Sequence, residues 1–197
     1  VTTQGALLVV GLGNPGSRYE GTRHNVGAEA VELLADRLGE RLREDRKVSA
    51  RVAGARVDGA RLHLAVPHTY MNESGRAVAQ LVRRHPLDDW SRLVVVHDEL
   101  DIDPGELKVK LGGGLAGNNG LRSIAEHLGT RDFARVRIGI GKPRGGPGRG
   151  ADWVLSRPHG AERDALAVAV QLAADAVEAI AVSDVSAAMQ RFNARRP

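Results

Sequence analysis

An asparagine, a histidine and an aspartate stand where the chain passes from apolar to polar. Asn14 follows the run "LLVVGLG", His24 lies in the polar stretch "TRHN", and Asp98 follows "LVVVH". Sites in open α/β sheets form at the carboxyl ends of strands, so the three converge if both runs are strands of one sheet. A histidine oriented by a carboxylate is a general base near neutral pH, and an amide beside it positions the ring or the reactant. His97 is the rival histidine, but alternation along a strand puts it on the face of Val95, opposite Asp98. His63, His68, His85, His127 and His159 read as structural. There is no cysteine, which removes disulfides, thiolate metal sites and a thiol nucleophile. A serine elbow of the G-x-S-x-G kind and a zinc pattern such as H-E-x-x-H are missing as well. In "HDELD", Glu99 and Asp101 are expected to face solvent or cap the following turn rather than hold a metal.

The elements that must position these residues follow from periodicity. Residues 7–11 form an apolar strand, and Val26, Ala30, Leu33, Leu34 and Leu38 recur at helical spacing until Gly39. Residues 50–66 predict a hairpin turning at Asp58-Gly59. A helix is predicted from about Ser74 to His85, where Pro86 ends it. "RLVVVHDELD" is the next strand, and a short one around Leu107–Leu111 leads into "GGGLAGNNG" and a helix to about Leu128. "RVRIGIG" is a further strand and "KPRGGPGRG" a loop. Leu166, Val170, Ala173, Val177 and Ile180 stripe a long helix, followed by a short one near Met189. Strands alternating with helices, interrupted by one hairpin, predict a single α/β domain with a twisted mixed sheet flanked by helices.

Gly11, Gly13 and Gly16 spell G-x-G-x-x-G after the first strand, the pattern of a dinucleotide turn. Such a turn needs a helix starting at the third glycine, so that the helix N-terminus meets a pyrophosphate. Here "SRYEGTRHN" follows Gly16, and Pro15 removes a backbone donor from the place where phosphate would sit. Glu32 and Asp36 fall in a helix rather than at the end of a second strand. The context does not support an oxidoreductase.

Composition sets the class. The 197 residues are 42 % hydrophobic and 26 % charged, as in an ordinary globular domain. Aromatics are only 3 %, so the core must be aliphatic. Apolar runs fall short of a membrane span and no signal-peptide pattern opens the sequence, so a cytoplasmic protein is expected. Net charge is +4 but uneven: between Pro104 and Gly150 nine Lys or Arg face three Asp or Glu, and residues 160–184 reverse the balance. A basic stretch of this kind is either a binding face for a polyanion or a solvated surface.

Four stretches in order, "VVGLGNPGSRYEGTRHNVG", "PHTYMNESG", "VVVHDELDIDPGELKVKLGGG" and "NNGLRS…RVRIGIGKP", resemble bacterial peptidyl-tRNA hydrolase. The resemblance runs from about Leu7 to the last helix. It implies an enzyme without metal or cofactor that cleaves the ester joining a peptide to the 3′ end of tRNA, acting as a cytoplasmic monomer. Carried over residue by residue, it makes His24 the base, Asp98 its orienting carboxylate and Asn14 the positioning amide. It implies that Asn72 and Asn119 hold the peptide and the attacking water, that Tyr19 and Met71 line the cleft, and that Lys108, Lys110 and Arg137 meet tRNA phosphates. The alternative is a related protein that binds RNA without hydrolysing it; such a binder has no reason to keep Asn14, His24 and Asp98 together.

One stretch departs from the family, whose loop reads G-G-G-x-G-G-H-N-G where this chain has "GGGLAGNNG". Ala116 replaces a glycine, Asn118 replaces the histidine, and Leu115 puts an exposed apolar side chain on the loop. Alanine tolerates positive φ poorly, so the loop is expected to take another path if a left-handed residue is needed there. Asn118 is expected to support the 3′ end of the RNA and Leu115 to pack on the cleft rim.

Overall fold

Residues 5–146 and 148–194 are described by the structure, a computed structural model. Seven strands form one sheet: β1 (Leu7–Gly11), β2 (Arg43–Asp45), β3 (Ala50–Val57), β4 (Ala60–Pro67), β5 (Leu93–Glu99), β6 (Leu107–Leu111) and β7 (Ala134–Gly139). The helices are α1 (Val26–Arg37), α2 (Ser74–Arg84), α3 (Asn119–Leu128), α4 (Gly150–Val154), α5 (Gly160–Val182) and α6 (Val185–Asn193). Strand order is β2-β3-β4-β1-β5-β7-β6. The four inner strands β4, β1, β5 and β7 are parallel, while β2, β3 and β6 make the pairing mixed. The inner strands therefore end at one edge, which collects Asn14, Asp98 and the turn after β4.

Alternation sorts the core into two layers. Leu7 and Val9 of β1, with Val94 and Val96 of β5, pack with α1, α5 and α6. Leu8, Val10, Leu93 and Val95 face the other way, against Val78 and Leu81 of α2 and Leu121 and Ile124 of α3. Both faces of the inner strands are covered, which is why β1 and β5 are continuous apolar runs rather than alternating ones. The 23-residue α5 has the length and mean hydropathy (1.8) of a membrane span. Its Leu166, Ala169, Val170, Ala173, Ala176, Val177 and Ile180 are nonetheless buried against the sheet, so that face serves the core.

Two elements go beyond the predicted set. β2 is an edge strand of three polar residues, where alternation carries no signal; it pairs with Ala50–Val52 and is pinned by Arg84 on Asp45 at 2.5 Å. α4 follows the glycine-rich loop, which is irregular over residues 141–149 where it is described; Pro147 lies outside the described residues.

The glycines of the opening motif shape a helix contact. A Cβ on Gly11 would lie 2.5 Å from the Gly27 carbonyl oxygen, and one on Gly27 would lie 2.2 Å from the Val96 oxygen. The N-terminal turn of α1 is thus drawn onto the ends of β1 and β5, closer than any side chain permits. Gly27→Ala is expected to destabilise the fold by about 1–3 kcal/mol, the usual cost of overpacking, seen as an earlier denaturant midpoint.

On its outer side, α1 faces a cavity of about 380 Å³ shared with the loop after β1 and with Arg51, Val66 and His68. The Glu32–Arg51 ion pair spans it. One turn earlier, burial first, then the charges of Glu32 and Glu20, push the Glu29 carboxyl from 4.5 up to about 7. Between those two values the folded protein holds a proton there that the unfolded chain has released, so this group's contribution to stability falls as pH rises through the window. Glu29→Gln should therefore raise stability at pH ~8 by about 1–2 kcal/mol, after allowance for solvent screening, and change it little at pH ~5. Urea melts at the two pH values check the sign.

Candidate active site

His24 and Asp98 meet although 74 residues apart. The imidazole Nδ1 lies 2.9 Å from Asp98 Oδ2 in a buried contact. Asp98 ends the apolar run of β5 and points to the α1 side; His24 sits in the 3-10 turn Arg23–Asn25 that feeds α1. With Nδ1–H donated to the carboxylate, Nε2 carries the lone pair, and it makes no hydrogen bond inside the protein among the described residues. The second carboxylate oxygen accepts from Asn118 Nδ2 at 3.2 Å. Asp98 is 5 % exposed, and both oxygens are engaged. His97 is on the opposite face, as alternation requires: its Nδ1 donates to the Asp98 carbonyl oxygen at 2.8 Å, and burial pushes its pKa below the usual histidine range.

The turn bearing His24 is fastened by residues that nothing in the local sequence singles out. Arg23, buried between its neighbours, stacks on Trp153 with its guanidinium carbon 3.6 Å from the ring centroid. It donates to Glu162 at 2.8 Å and to Ser156 Oγ at 2.6 Å, and its backbone N–H donates to the Ser156 carbonyl. Arg157 reaches back to the carbonyls of Ser17, Arg18 and Glu20. Asn25 makes two bonds to the backbone of Asn14: its Oδ1 accepts the Asn14 N–H at 2.9 Å and its Nδ2 donates to the Asn14 oxygen at 3.0 Å. The partners lie 11 or more than 130 residues away, so only a residue-pairing signal could have found them.

Asn14 Oδ1 accepts the Met71 N–H at 2.8 Å, which ties the end of β1 to the 3-10 turn Met71–Glu73 and leaves Nδ2 free to donate. Met71 is buried, and its sulfur fills the space over Gly120, where a Cβ would lie 2.6 Å away. Asn14, Met71, Gly120, Asn118, Asp98 and His24 thus form one connected cluster. Asn72 and Asn119 each follow a member of it and are exposed. Tyr19 stands beside the cluster with its ring edge-on to Tyr70, centroids 6.3 Å apart.

The loop 112–118 keeps the left-handed path despite its alanine: Ala116 has φ of 51°. The conformation is held from below by buried Arg135, which donates to the carbonyls of Gly113, Gly114 and Arg131. Leu115, expected exposed, is half-buried and packs on the α2–α3 layer. Asn118, expected at the RNA, is turned inward.

Lys108 and Arg137 are cross-strand partners on β6 and β7, and Lys110 pairs with Arg135. Lys108 is exposed. Of the two places expected for Glu99, solvent or the cap of the following turn, it takes the second: it is 2 % exposed, and Arg137 grips it with Nε and Nη2 at 3.2 and 3.1 Å. Its Oε1 does cap the turn, accepting the Asp101 N–H at 3.2 Å. Asp101 is exposed and pairs with Lys142 at 2.7 Å. The acidic helix is largely neutralised within the molecule, Asp175 and Glu178 by Arg37 and Glu162 by Arg23. A cavity of about 860 Å³ between the 141–149 segment and α4 shares with the site only the anchors of Arg23. Among the described residues no cluster of His, Asp and Glu is arranged to hold a metal ion.

The family model for peptidyl-tRNA hydrolase matches residues 8–197. The peptidyl-tRNA hydrolase of Cutibacterium acnes is 47 % identical over 196 residues, covering 94 % of this chain and 97 % of that protein. That of Nocardia farcinica is 48 % identical over 191 residues, covering 96 % and 97 %. The crystal structure of peptidyl-tRNA hydrolase from Acinetobacter baumannii superposes with a TM-score of 0.91 at 38 % identity, over 100 % of this chain and 99 % of that one. Sequence and fold agree over nearly the full length, and the chain belongs to the peptidyl-tRNA hydrolase family.

Proposed function

We propose that the protein hydrolyses the ester between peptide and tRNA in peptidyl-tRNA, freeing the tRNA for reuse in translation, with His24 as general base. The observation that carries this reading is the buried 2.9 Å contact of His24 with Asp98, which leaves the ring's other nitrogen free. Asp98 fixes the tautomer with the proton on Nδ1. Nε2 then takes a proton from water as that water attacks the ester carbonyl, and the imidazolium returns it to the departing 3′ oxygen. An ester is activated enough for such a route without a covalent intermediate. The free Nδ2 of Asn14 and the exposed amides of Asn72 and Asn119 supply neutral donors for the oxyanion and the peptide, and neutral donors do not compete for the transferred proton. Tyr19 and buried Met71 form the wall beside them. A monomer working in the cytoplasm goes with this reading.

His24→Ala should lower turnover by roughly a hundred- to ten-thousandfold, the range of a lost general base. Asp98→Asn should keep the fold and lose roughly tenfold or more, since the amide favours the wrong tautomer. Release of free tRNA from a peptidyl-tRNA, measured for wild type and both variants, decides the matter; a His24→Ala protein within a few-fold of wild type sinks the assignment. RNA binding without release by wild type would favour a non-hydrolytic binder.

Lys108 and Lys110 are the phosphate contacts this reading needs, with Arg137 contributing the part of its guanidinium that Glu99 leaves free. The charge of Arg137 is largely spent on Glu99, so the test belongs to the lysines. Lys108→Ala combined with Lys110→Ala should weaken tRNA binding and make its salt dependence shallower, by about one in log–log slope for each lysine that meets a phosphate. Cleavage of a minimal ester should change little. An unaltered slope would make the basic face a solvated surface.

A further inference from the structure

Asn118 occupies an unusual junction. Its Oδ1 accepts the Leu121 N–H at 3.1 Å, which makes it the N-cap of α3, while its Nδ2 donates to Asp98 Oδ1 at 3.2 Å. The side chain is 9 % exposed. The two bonds define each other: the helix N-terminus selects the oxygen end of the carboxamide, so the NH2 end must face the carboxylate. A carboxylate bonded through one oxygen can swing about its Cβ–Cγ bond. Bonded through both, to donors on two different elements, it cannot.

We propose that Asn118 is a positioning residue for the hydrolytic reaction: acting through Asp98, it holds the His24 ring at the angle and tautomer the reaction uses. The inference rests on the reading of His24 as general base. The surroundings leave this role to Asn118. From β5, His97 spends Nδ1 on the Asp98 backbone oxygen, and Glu99 is neutralised by Arg137. From the turn before α1, Arg23 is committed to Glu162. From α3, the group facing Asp98 is the amide of Asn118, which carries no charge and does not titrate. Its donation therefore does not depend on pH.

Two substitutions separate positioning from capping. Asn118→Asp keeps an oxygen for the Leu121 N–H and caps as well as asparagine, yet sets a second carboxylate against Asp98. Asn118→Ser also caps, but its short hydroxyl leaves Asp98 Oδ1 without its donor. Both proteins should lose stability, because Asp98 Oδ1 loses its neutral donor in each, so turnover and titration are compared at a temperature at which circular dichroism shows both variants folded. Turnover of peptidyl-tRNA should fall roughly ten- to a hundredfold in both, in kcat rather than KM, as expected for a displaced catalytic group. In Asn118→Asp the added negative charge favours the protonated pair, so the acid limb of the kcat/KM profile should move up by about one pH unit. NMR titration of the His24 ring reads the same displacement without substrate. A His24 titration in Asn118→Asp that overlays wild type overturns the proposal, as do kcat values within about twofold of wild type in both variants while His24→Ala is inactive. If His24→Ala itself keeps its turnover, the general-base reading fails instead. If either variant melts below the assay temperature, the measurements are made below its transition, with wild type and His24→Ala at the same temperature.

Discussion

A carboxylate nearly closed off from water governs how this protein is arranged. Moving such a charge out of solvent costs several kcal/mol unless each oxygen finds a donor. Asp98 finds them in His24 and Asn118, which come from opposite sides of the sheet. Meeting that demand requires the end of β5, the turn before α1 and the start of α3 at one point. β5 is central, paired with β1 and β7. α1 reaches it because Gly27 has no side chain to hold it off the Val96 carbonyl. α3 reaches it because a run of glycines and one left-handed alanine, clamped by Arg135, bring the chain back across the sheet. The layout of the site follows from this pairing of a buried carboxylate with an imidazole.

Charge elsewhere is partitioned in a way that composition hides. Most acidic side chains of α5 are answered by arginines of the N-terminal half, and Glu99 is answered by Arg137. Among the described residues, Lys108 and Lys110 on β6 are held by no ion pair. The lysines of β6 thus lie on an edge strand, while most carboxylates of α5 are paired within the molecule. This separation of charge comes from the fold and cannot be read from the net charge.

Much of this was legible in the sequence, for a physical reason. Strands covered on both faces must be continuous apolar runs, so "LLVVG" and "LVVVH" announce themselves, and their polar ends mark Asn14 and Asp98. The Asp58-Gly59 hairpin and the stripes of α1 and α5 are equally local signals. Illegible were the features whose cause lies far along the chain. Arg23 reads as one more surface cation until Trp153 and Glu162 are seen around it. Glu99 reads as facing solvent or capping the next turn, and nothing local shows that Arg137 holds it from across the strand pair. β2 has no apolar face to betray it. Ala116 shows a limit of another kind: residue type gives the cost of a left-handed backbone, but not whether Arg135 and a helix cap will impose it anyway.

The fastening of the His24 turn by residues near Trp153 and Glu162 also sets a timetable. On the ribosome, β1 and its polar loop emerge long before α5, and chains grow at roughly 5–20 residues per second. The bonds that lock Arg23 span 133 and 139 residues. Until the start of α5 has left the exit tunnel, Arg23 has neither its ring to stack on nor its carboxylate. In this chain the anchors of the turn are thus translated only after β7, the last strand of the sheet, is complete.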